Sequence, residues 1–344
     1  MQYNQATEAL IRLPIKHMRT LRMHIQTLRE IRPILTYLRL RKTETFVKKM
    51  ENGCLLRGTE MQSDLWQEIP EFSGADVEQK WIEGNSGYNL RILHWTPTNE
   101  DCKQERTLVM IPGWNSVPEG WFPILSECVK QRPVVYIETR EKGSCRIDKK
   151  ISKESFQIQN IASDLPIILA RMGLDPSNCD AMGSSLGATL LLEGLREETL
   201  VFRSIVVLSP NLAFVPPIWA RPLIPAPLFC YNALVKFVIW YLDKRLKEEG
   251  QRIRYRRTLL AAPIDRLRLC SMVFRKYKMN LDFSKTNAPV GILRASSDTL
   301  HDHSDAGDLS NNIPNSKLIE IVSNQFAHEA AAIPVIEDFM KNTV

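Results

Sequence analysis

The stretch Cys179-Asp180-Ala181-Met182-Gly183-Ser184-Ser185-Leu186-Gly187-Ala188 decides how this chain of 344 residues is read. Cys179 to Met182 has the character of a weak strand, and Leu186 to Leu195 that of a strong helix. Between them Gly183, Ser185 and Gly187 make Gly-x-Ser-x-Gly. A serine on a sharp strand-to-helix turn is forced into a strained backbone conformation and projects above its sheet. The flanking glycines remove side chains that would clash in so tight a turn. The helix that follows puts the positive end of its dipole beneath the serine oxygen. Five residues of motif mean little alone; the strand before and the helix after supply the context the chemistry needs.

Working outward, strand and helix patterns alternate. Lys80–Glu83 and Tyr88–Trp95 read as a hairpin around Gly84-Asn85-Ser86-Gly87. Thr107–Ile111 is a buried strand running into Pro112-Gly113-Trp114-Asn115, residues 119–131 are helical, and Val134–Ile137 is another buried strand. Ser155–Met172 reads as one helix with Ile158, Ile161, Leu165, Ile168 and Leu169 on one side. Ser204–Leu208 is again a strand. The alternation resumes at Val290–Ala295, with a helix around Asp305, a strand over Lys317–Val322 and a last helix near Ala330–Lys341. This predicts an α/β protein with a mainly parallel, doubly wound sheet.

The alternation breaks at Pro210. Six prolines fall between 210 and 227, a helical stretch follows over Phe229–Leu246, and a basic stretch runs to Lys278. The expected organisation is an α/β core over 77–210 and 285–344, with a helical cap inserted at 211–284. A connector over 51–76 precedes the core. Residues 1–50 read as a basic amphipathic helical arm, with apolar residues at Ile11, Ile15, Met18, Leu21, Ile25 and Leu28.

Charge follows the same division. Residues 1–50 hold 11 Lys/Arg against 3 Asp/Glu, and residues 211–284 hold 14 against 5. The remainder holds 20 against 31, so the net +6 conceals two basic segments on an acidic body. The arm and the cap are therefore candidates for peripheral membrane association, or for facing the acidic body within the molecule. Nucleic-acid binding is not expected, for no recognisable binding motif accompanies the charge. No run of about 18 apolar residues suggests a membrane span. The seven cysteines have wide gaps and no Cys-x-x-Cys pair, which points to free thiols in a reducing, cytoplasmic setting.

A serine alone is a poor nucleophile and needs a base and an orienting acid. His328 follows the strand near Leu318–Val322, and Asp298 follows the strand Val290–Ala295. The chain order Ser185, Asp298, His328 is that of the α/β-hydrolase arrangement. Asp302, Asp305 and Asp308 lie close to Asp298 and are alternative acids. His301-Asp302-His303 could be read as metal ligands, but two histidines at i and i+2 share no helix face and no strand is expected there.

On these residues the chain resembles the α/β-hydrolase superfamily. Ile111-Pro112-Gly113-Trp114 resembles its oxyanion loop, with Pro112 in place of the usual histidine. Glu138-Thr139-Arg140-Glu141-Lys142-Gly143-Ser144 resembles the segment after the fourth strand, with Glu138 in place of the usual aspartate. The resemblance implies a cofactor-independent and metal-free serine hydrolase. Ser185 attacks a carbonyl, His328 takes its proton and Asp298 orients His328. The backbone N–H groups of Trp114 and Leu186 bind the oxyanion, and Gly113, Gly183 and Gly187 support the turns. The implied substrate is a small-molecule carboxylic ester, with a lipid-like ester favoured by the aromatic, apolar stretch over 219–242. An acyltransferase with the same triad, or an idle fold relative that binds a membrane or a partner, are the alternative readings.

Overall fold

The computed structural model describes residues 66–296 and 303–342. The basic arm over 1–50, most of the connector, Asp298, His301 and Asp302 lie outside the described residues. Glu60–Val215 and Pro225–Val344 group into one compact unit, to which all that follows refers; Pro216–Ile224 groups apart from it and carries one 3-10 turn, Arg221–Leu223.

The strands are β1 (Ala75–Glu83), β2 (Tyr88–Pro97), β3 (Leu108–Ile111), β4 (Val134–Glu138), β5 (Arg146–Ile147), β6 (Asp180–Ser184), β7 (Ser204–Leu208), β8 (Val290–Ala295) and β9 (Ser316–Ile321). They form an open sheet in the order β1-β2-β4-β3-β6-β7-β8-β9, with the short β5 against β2. From β4 to β9 the neighbours run parallel. At the other end β1, β2 and β4 pair antiparallel. The expected hairpin is present, with Glu83 opposite Asn89 and the Gly84 N–H donating to the Tyr88 carbonyl at 2.7 Å.

The continuous apolar runs of the inner strands have a simple cause. Successive side chains point to opposite faces of a strand, and here both faces are covered. Val109, Ile111, Val135, Ile137, Ile205 and Val207 enter one core. Leu108, Met110, Val134, Tyr136, Val206 and Leu208 enter the other.

The helices are α1 (Glu100–Lys103), α2 (Phe122–Gln131), α3 (Ile158–Ala162), α4 (Asp164–Arg171), α5 (Leu186–Arg196), α6 (Tyr231–Arg245), α7 (Glu249–Ala261), α8 (Ile264–Phe274), α9 (His303–Asn312) and α10 (Ile333–Asn342). Every residue of α5 from Leu186 to Leu195 is buried, Thr189 and Glu193 included, which is why the helix is predominantly apolar. The single helix expected over Ser155–Met172 is divided between α3 and α4. Pro166 explains the break: it has no N–H for the Ala162 carbonyl, and its ring would collide with that carbonyl.

Between β7 and β8 the chain forms α6, α7 and α8. The basic stretch beyond Leu246 thus resolves into two helices whose periodicity is hidden by exposed arginines; in α7 only Gln251 and Ala261 are buried. The inserted segment is tied down by specific bonds. Arg266 of α8 donates to the carbonyls of Arg140 (3.3 Å), Lys142 and Cys145 (3.0 Å). Trp66 Nε1 donates to the Ala261 carbonyl at 3.0 Å. Tyr231, Val235, Ala262 and Leu267 form an apolar cluster on which Trp114 packs. Among the described residues no helix is long and apolar enough to cross a membrane.

Candidate active site

The site forms at the carboxyl ends of the parallel strands, starting from Ser185 at the turn between β6 and α5. Its backbone has φ 48° and ψ −112°, a conformation costing about 1–3 kcal/mol. The turn is held on both sides. The Ser185 N–H donates to the Leu208 carbonyl at 2.9 Å, and its own carbonyl accepts from Thr189 N at 3.0 Å and Thr189 Oγ1 at 3.1 Å.

The glycines do what the motif requires. A Cβ on Gly187 would lie 2.0 Å from the Ile111 carbonyl oxygen, and one on Gly183 would lie 2.7 Å from the Ala188 nitrogen. The turn and the end of β3 therefore touch backbone to backbone. Gly113 completes this contact, for a Cβ there would be 3.5 Å from Ser185 Cβ. Trp114 follows, and Leu186 is the first residue of α5, so its N–H has no acceptor within the helix. Ser185, Leu186, Gly183, Gly187, Gly113 and Trp114 are thus brought together.

Trp114 is held by its neighbours. Its ring meets Phe274 of α8 with centroids 5.1 Å apart. With the Asn115 amide turned to satisfy both neighbours, Asn115 accepts from Trp114 Nε1 at 3.0 Å and donates to the Glu141 carbonyl at 3.1 Å. Asn115 itself has φ 51°.

His328 ends a 3-10 turn, Phe326–His328, just beyond β9. Its Nδ1 is 2.9 Å from the Asn324 carbonyl. A carbonyl can only accept, so Nδ1 carries a hydrogen in this contact, which in the neutral ring leaves Nε2 as the acceptor. The ring is buried against Trp121, with centroids 4.2 Å apart. Trp121 Nε1 donates to Ser116 Oγ at 3.2 Å, and the Ser116 N–H donates to the Gly113 carbonyl at 3.0 Å. One indole therefore links the histidine to the loop that lies on Ser185. Asp298 lies outside the described residues; the described chain before it ends at Ser296. Ser296 bonds through its N–H to the Ile321 carbonyl (3.1 Å) and through Oγ to the Val322 carbonyl (2.9 Å), beside the start of the histidine loop.

Asn211 is a residue that sequence reading missed. Its Nδ2 donates to Ser185 Oγ at 3.0 Å. Its backbone is fixed from two sides: its N–H donates to Thr189 Oγ1 and its carbonyl accepts from Thr189 Oγ1, both at 3.2 Å. The Leu212 N–H donates to Asp305 Oδ2 at 3.0 Å. The available signal was topological. β7 lies next to β6, so the residues past its end must arrive beside those past the end of β6. Ser209 makes that arrival possible by taking φ 46°. Asp305 is thereby occupied in holding this segment, and Asp308 is exposed. Among the described residues no group of three His, Cys, Asp or Glu side chains could hold a metal ion.

A shell of buried charge fixes the loop after β4. Burial pushes the Glu138 carboxyl up, against the opposing pull of Arg91 at 3.7 Å. Arg91 also donates to Gln79 Oε1 (2.5 Å) and to the carbonyls of Trp66 (2.6 Å) and Glu68 (2.5 Å). Arg140 clamps Asp164 with two bonds, its Nε at 2.7 Å from Oδ2. Lys142 bonds Thr139 Oγ1 (2.8 Å) and Glu141 Oε1 (2.7 Å). Burial pushes the Cys145 thiol of this loop up to about 12.

No family model matches the sequence, and no curated protein does. Solved structures do match. A thermophilic esterase from Thermogutta terrifontis aligns over 78% of this chain and 99% of its own, at 13% identity and a TM-score of 0.61. The enol-lactonase from Burkholderia xenovorans LB400 aligns over 76% and 100%, at 14% identity and 0.61. A hydrolase from Pseudomonas aeruginosa PA01 aligns over 77% and 96%, at 12% identity and 0.59. With a serine on a strained strand-to-helix turn at the carboxyl edge of a mainly parallel sheet, this chain has the α/β-hydrolase fold.

Proposed function

We propose that the protein is a serine hydrolase that cleaves carboxylic esters through an acyl-enzyme on Ser185. The observation that carries this reading is the Ser185 backbone at φ 48°, ψ −112°, locked by the contact between Gly187 and Ile111. Strain of this kind persists only where the surroundings over-determine it, and here it presents one hydroxyl. In the reaction, Nε2 of His328 takes the Ser185 proton as Oγ attacks the carbonyl. The Nδ1–H bond to Asn324 holds the imidazole in the tautomer that a base needs. Asp298 is the acid that stabilises the imidazolium. The Leu186 and Trp114 N–H groups receive the developing oxyanion, each contributing about 3 kcal/mol. The intermediate collapses by breaking the ester C–O bond, and the His328 imidazolium gives its proton to the departing alcohol. Water then attacks the acyl-enzyme, His328 takes its proton, and that proton returns to Ser185 Oγ as the acid leaves.

The substrate class follows from what surrounds Trp114. Phe274, Phe214 and Tyr277 form a connected aromatic group, with centroids 5.0 Å apart for Phe214–Phe274 and 6.0 Å for Phe214–Tyr277. With the apolar cluster of α6 and α8, they favour a hydrophobic ester over a charged one. The inserted helices take the part of a cap.

The test is labelling with a fluorophosphonate, read by intact mass. One adduct on the wild type, absent from Ser185→Ala, is the expected result. A folded wild type that takes no adduct, or a Ser185→Ala protein that still does, removes the proposal.

A further inference from the structure

Helix α7 reaches the histidine loop, and one arginine makes the connection. Arg254 Nη2 donates to Asn324 Oδ1 at 2.7 Å and lies 3.5 Å from the Asn324 carbonyl. That carbonyl is the one 2.9 Å from His328 Nδ1. Asn324 and His328 are both at least nine-tenths buried. The stem of Arg254 also passes over Gly120, where a Cβ would be 3.5 Å from its Cδ. Gly120 adjoins Trp121, the indole that packs on His328. The same face of the insertion grips the next residue of the loop. Gln325 N–H donates to Glu248 Oε2 at 2.7 Å, and Gly250 N–H donates to Gln325 Oε1 at 3.4 Å.

We infer that Arg254 is a positioning residue for the base: it fixes the Asn324 side chain, and through Asn324 the carbonyl that orients His328. The inference rests on the serine-hydrolase reading above. Its physical content is that a 3-10 turn at a strand end is too short to hold an imbedded imidazole by itself. Phe326–His328 is three residues long, and a turn of that length has few internal bonds with which to set a ring. A charge-assisted bond from a planar, rigid guanidinium is a stronger tether than a neutral one. The consequence is that the inserted helix does more than cover substrate. When α7 is docked the base is aimed, and when it is not the base loses its guide.

The experiment measures fluorophosphonate inactivation of the full chain, separating the maximal rate, kinact, from the half-saturating concentration, KI. Four variants are compared with the wild type: Arg254→Met, Arg254→Lys, Asn324→Ala and the Arg254→Met/Asn324→Ala double. Asn324→Ala removes the side-chain oxygen that Arg254 binds at 2.7 Å and leaves the carbonyl that His328 uses and that Arg254 reaches at 3.5 Å. Arg254→Met is expected to lower kinact at least tenfold with KI within twofold. Asn324→Ala should do the same. The double should be no slower than the slower single, because the two act along one chain of contacts. Arg254→Lys should recover part of the rate, since an ammonium still reaches one oxygen. Arg256→Met serves as the control on the same helix, for Arg256 bonds Asp243 of α6 instead. Thermal melts accompany every variant, and a loss that is common to Arg256→Met, or that appears in KI alone, overturns the inference. So does an Arg254→Met protein that reacts like the wild type, or additive losses in the double. A wild type that takes no label at Ser185 fails the serine reading first and the inference with it, which distinguishes the two failures.

Discussion

Gly187→Ala is the sharpest test of how the serine turn is built, because local propensity and tertiary contact give opposite signs. Gly187 is the second residue of α5, and replacing a helical glycine by alanine ordinarily stabilises by about 1 kcal/mol. Here the new Cβ would lie 2.0 Å from the Ile111 oxygen, 2.6 Å from the Ile111 carbon and 2.8 Å from the Pro112 oxygen. Real Cβ atoms essentially never come closer than 3.0 Å, so something must move by an ångström or more. All three atoms are backbone. Ile111 is 2% exposed and is paired in register with Gly183, so β3 cannot yield without disturbing the turn itself. Overpacking of this kind costs about 1–3 kcal/mol, sometimes more, and outweighs the propensity gain.

The expected outcome is a melting temperature lower by several degrees, at about 2–4 °C per kcal/mol for a domain of this size. The activity loss should be larger than the stability loss implies. The displaced atoms are those that set the Trp114 N–H against Ser185, and a misplacement of about 1 Å can reduce rate on the order of a hundredfold. Gly307→Ala is the matched control: it lies within α9, and a Cβ there meets nothing within 4 Å. It should raise the melting temperature slightly and leave labelling unchanged. Differential scanning fluorimetry and the rate of fluorophosphonate labelling read both variants. A Gly187→Ala protein as stable and as reactive as the wild type refutes the reasoning.

Two further outcomes follow from the site and its surroundings. Asn211→Ala removes the donor on Ser185 Oγ while sparing the backbone bonds to Thr189, so labelling should slow about tenfold or more, as expected for a bond to a group that develops charge, with the melt little changed; an unaltered rate would mean that Asn211 does not act on the nucleophile. Burial pushes Cys128 up to about 12, Cys145 up to about 12 and Cys179 up to about 11, and Cys270 well above the usual thiol range. At pH 8 these four stay protonated in the native protein, so iodoacetamide should modify half-exposed Cys102 and Cys230 first and reach the others only after unfolding, as peptide mass spectrometry would show.

What could be read from the sequence divides along a physical line. The inner strands β3, β4 and β7 announced themselves because each is buried on both faces and so carries a nearly unbroken apolar run. Ser185 announced itself because its geometry demands particular residues within five positions. Gly187 must be glycine beneath Ile111, and that necessity is written locally. Asn211 had no such mark, since an asparagine past a proline is unremarkable until β7 is known to lie beside β6. Arg254 was hidden more deeply. It sits among Arg252, Arg256 and Arg257, and charge alone cannot tell the one that turns inward to Asn324 from those that face water. The break between α3 and α4 was legible at Pro166, but the apolar spacing on either side of it masked the signal.

The same division explains how so strained a serine survives in a protein of ordinary composition. The strain at Ser185 is about 1–3 kcal/mol. The helix it begins buries Leu186, Leu190, Leu191, Leu192 and Leu195 with none of their surface exposed. At about 1.5–3 kcal/mol for each buried leucine, that helix is held by several times the strain it carries. Ser185 is accordingly held from below by packing that has nothing to do with chemistry. His328 is placed differently, in a short turn after the edge strand β9. Its ring packs on Trp121, and the carbonyl it faces belongs to Asn324, which Arg254 of the inserted helices binds. On the proposed reading, packing that stabilises the fold holds Ser185 and the insertion holds His328, so changes in the insertion are expected to alter labelling more than melting.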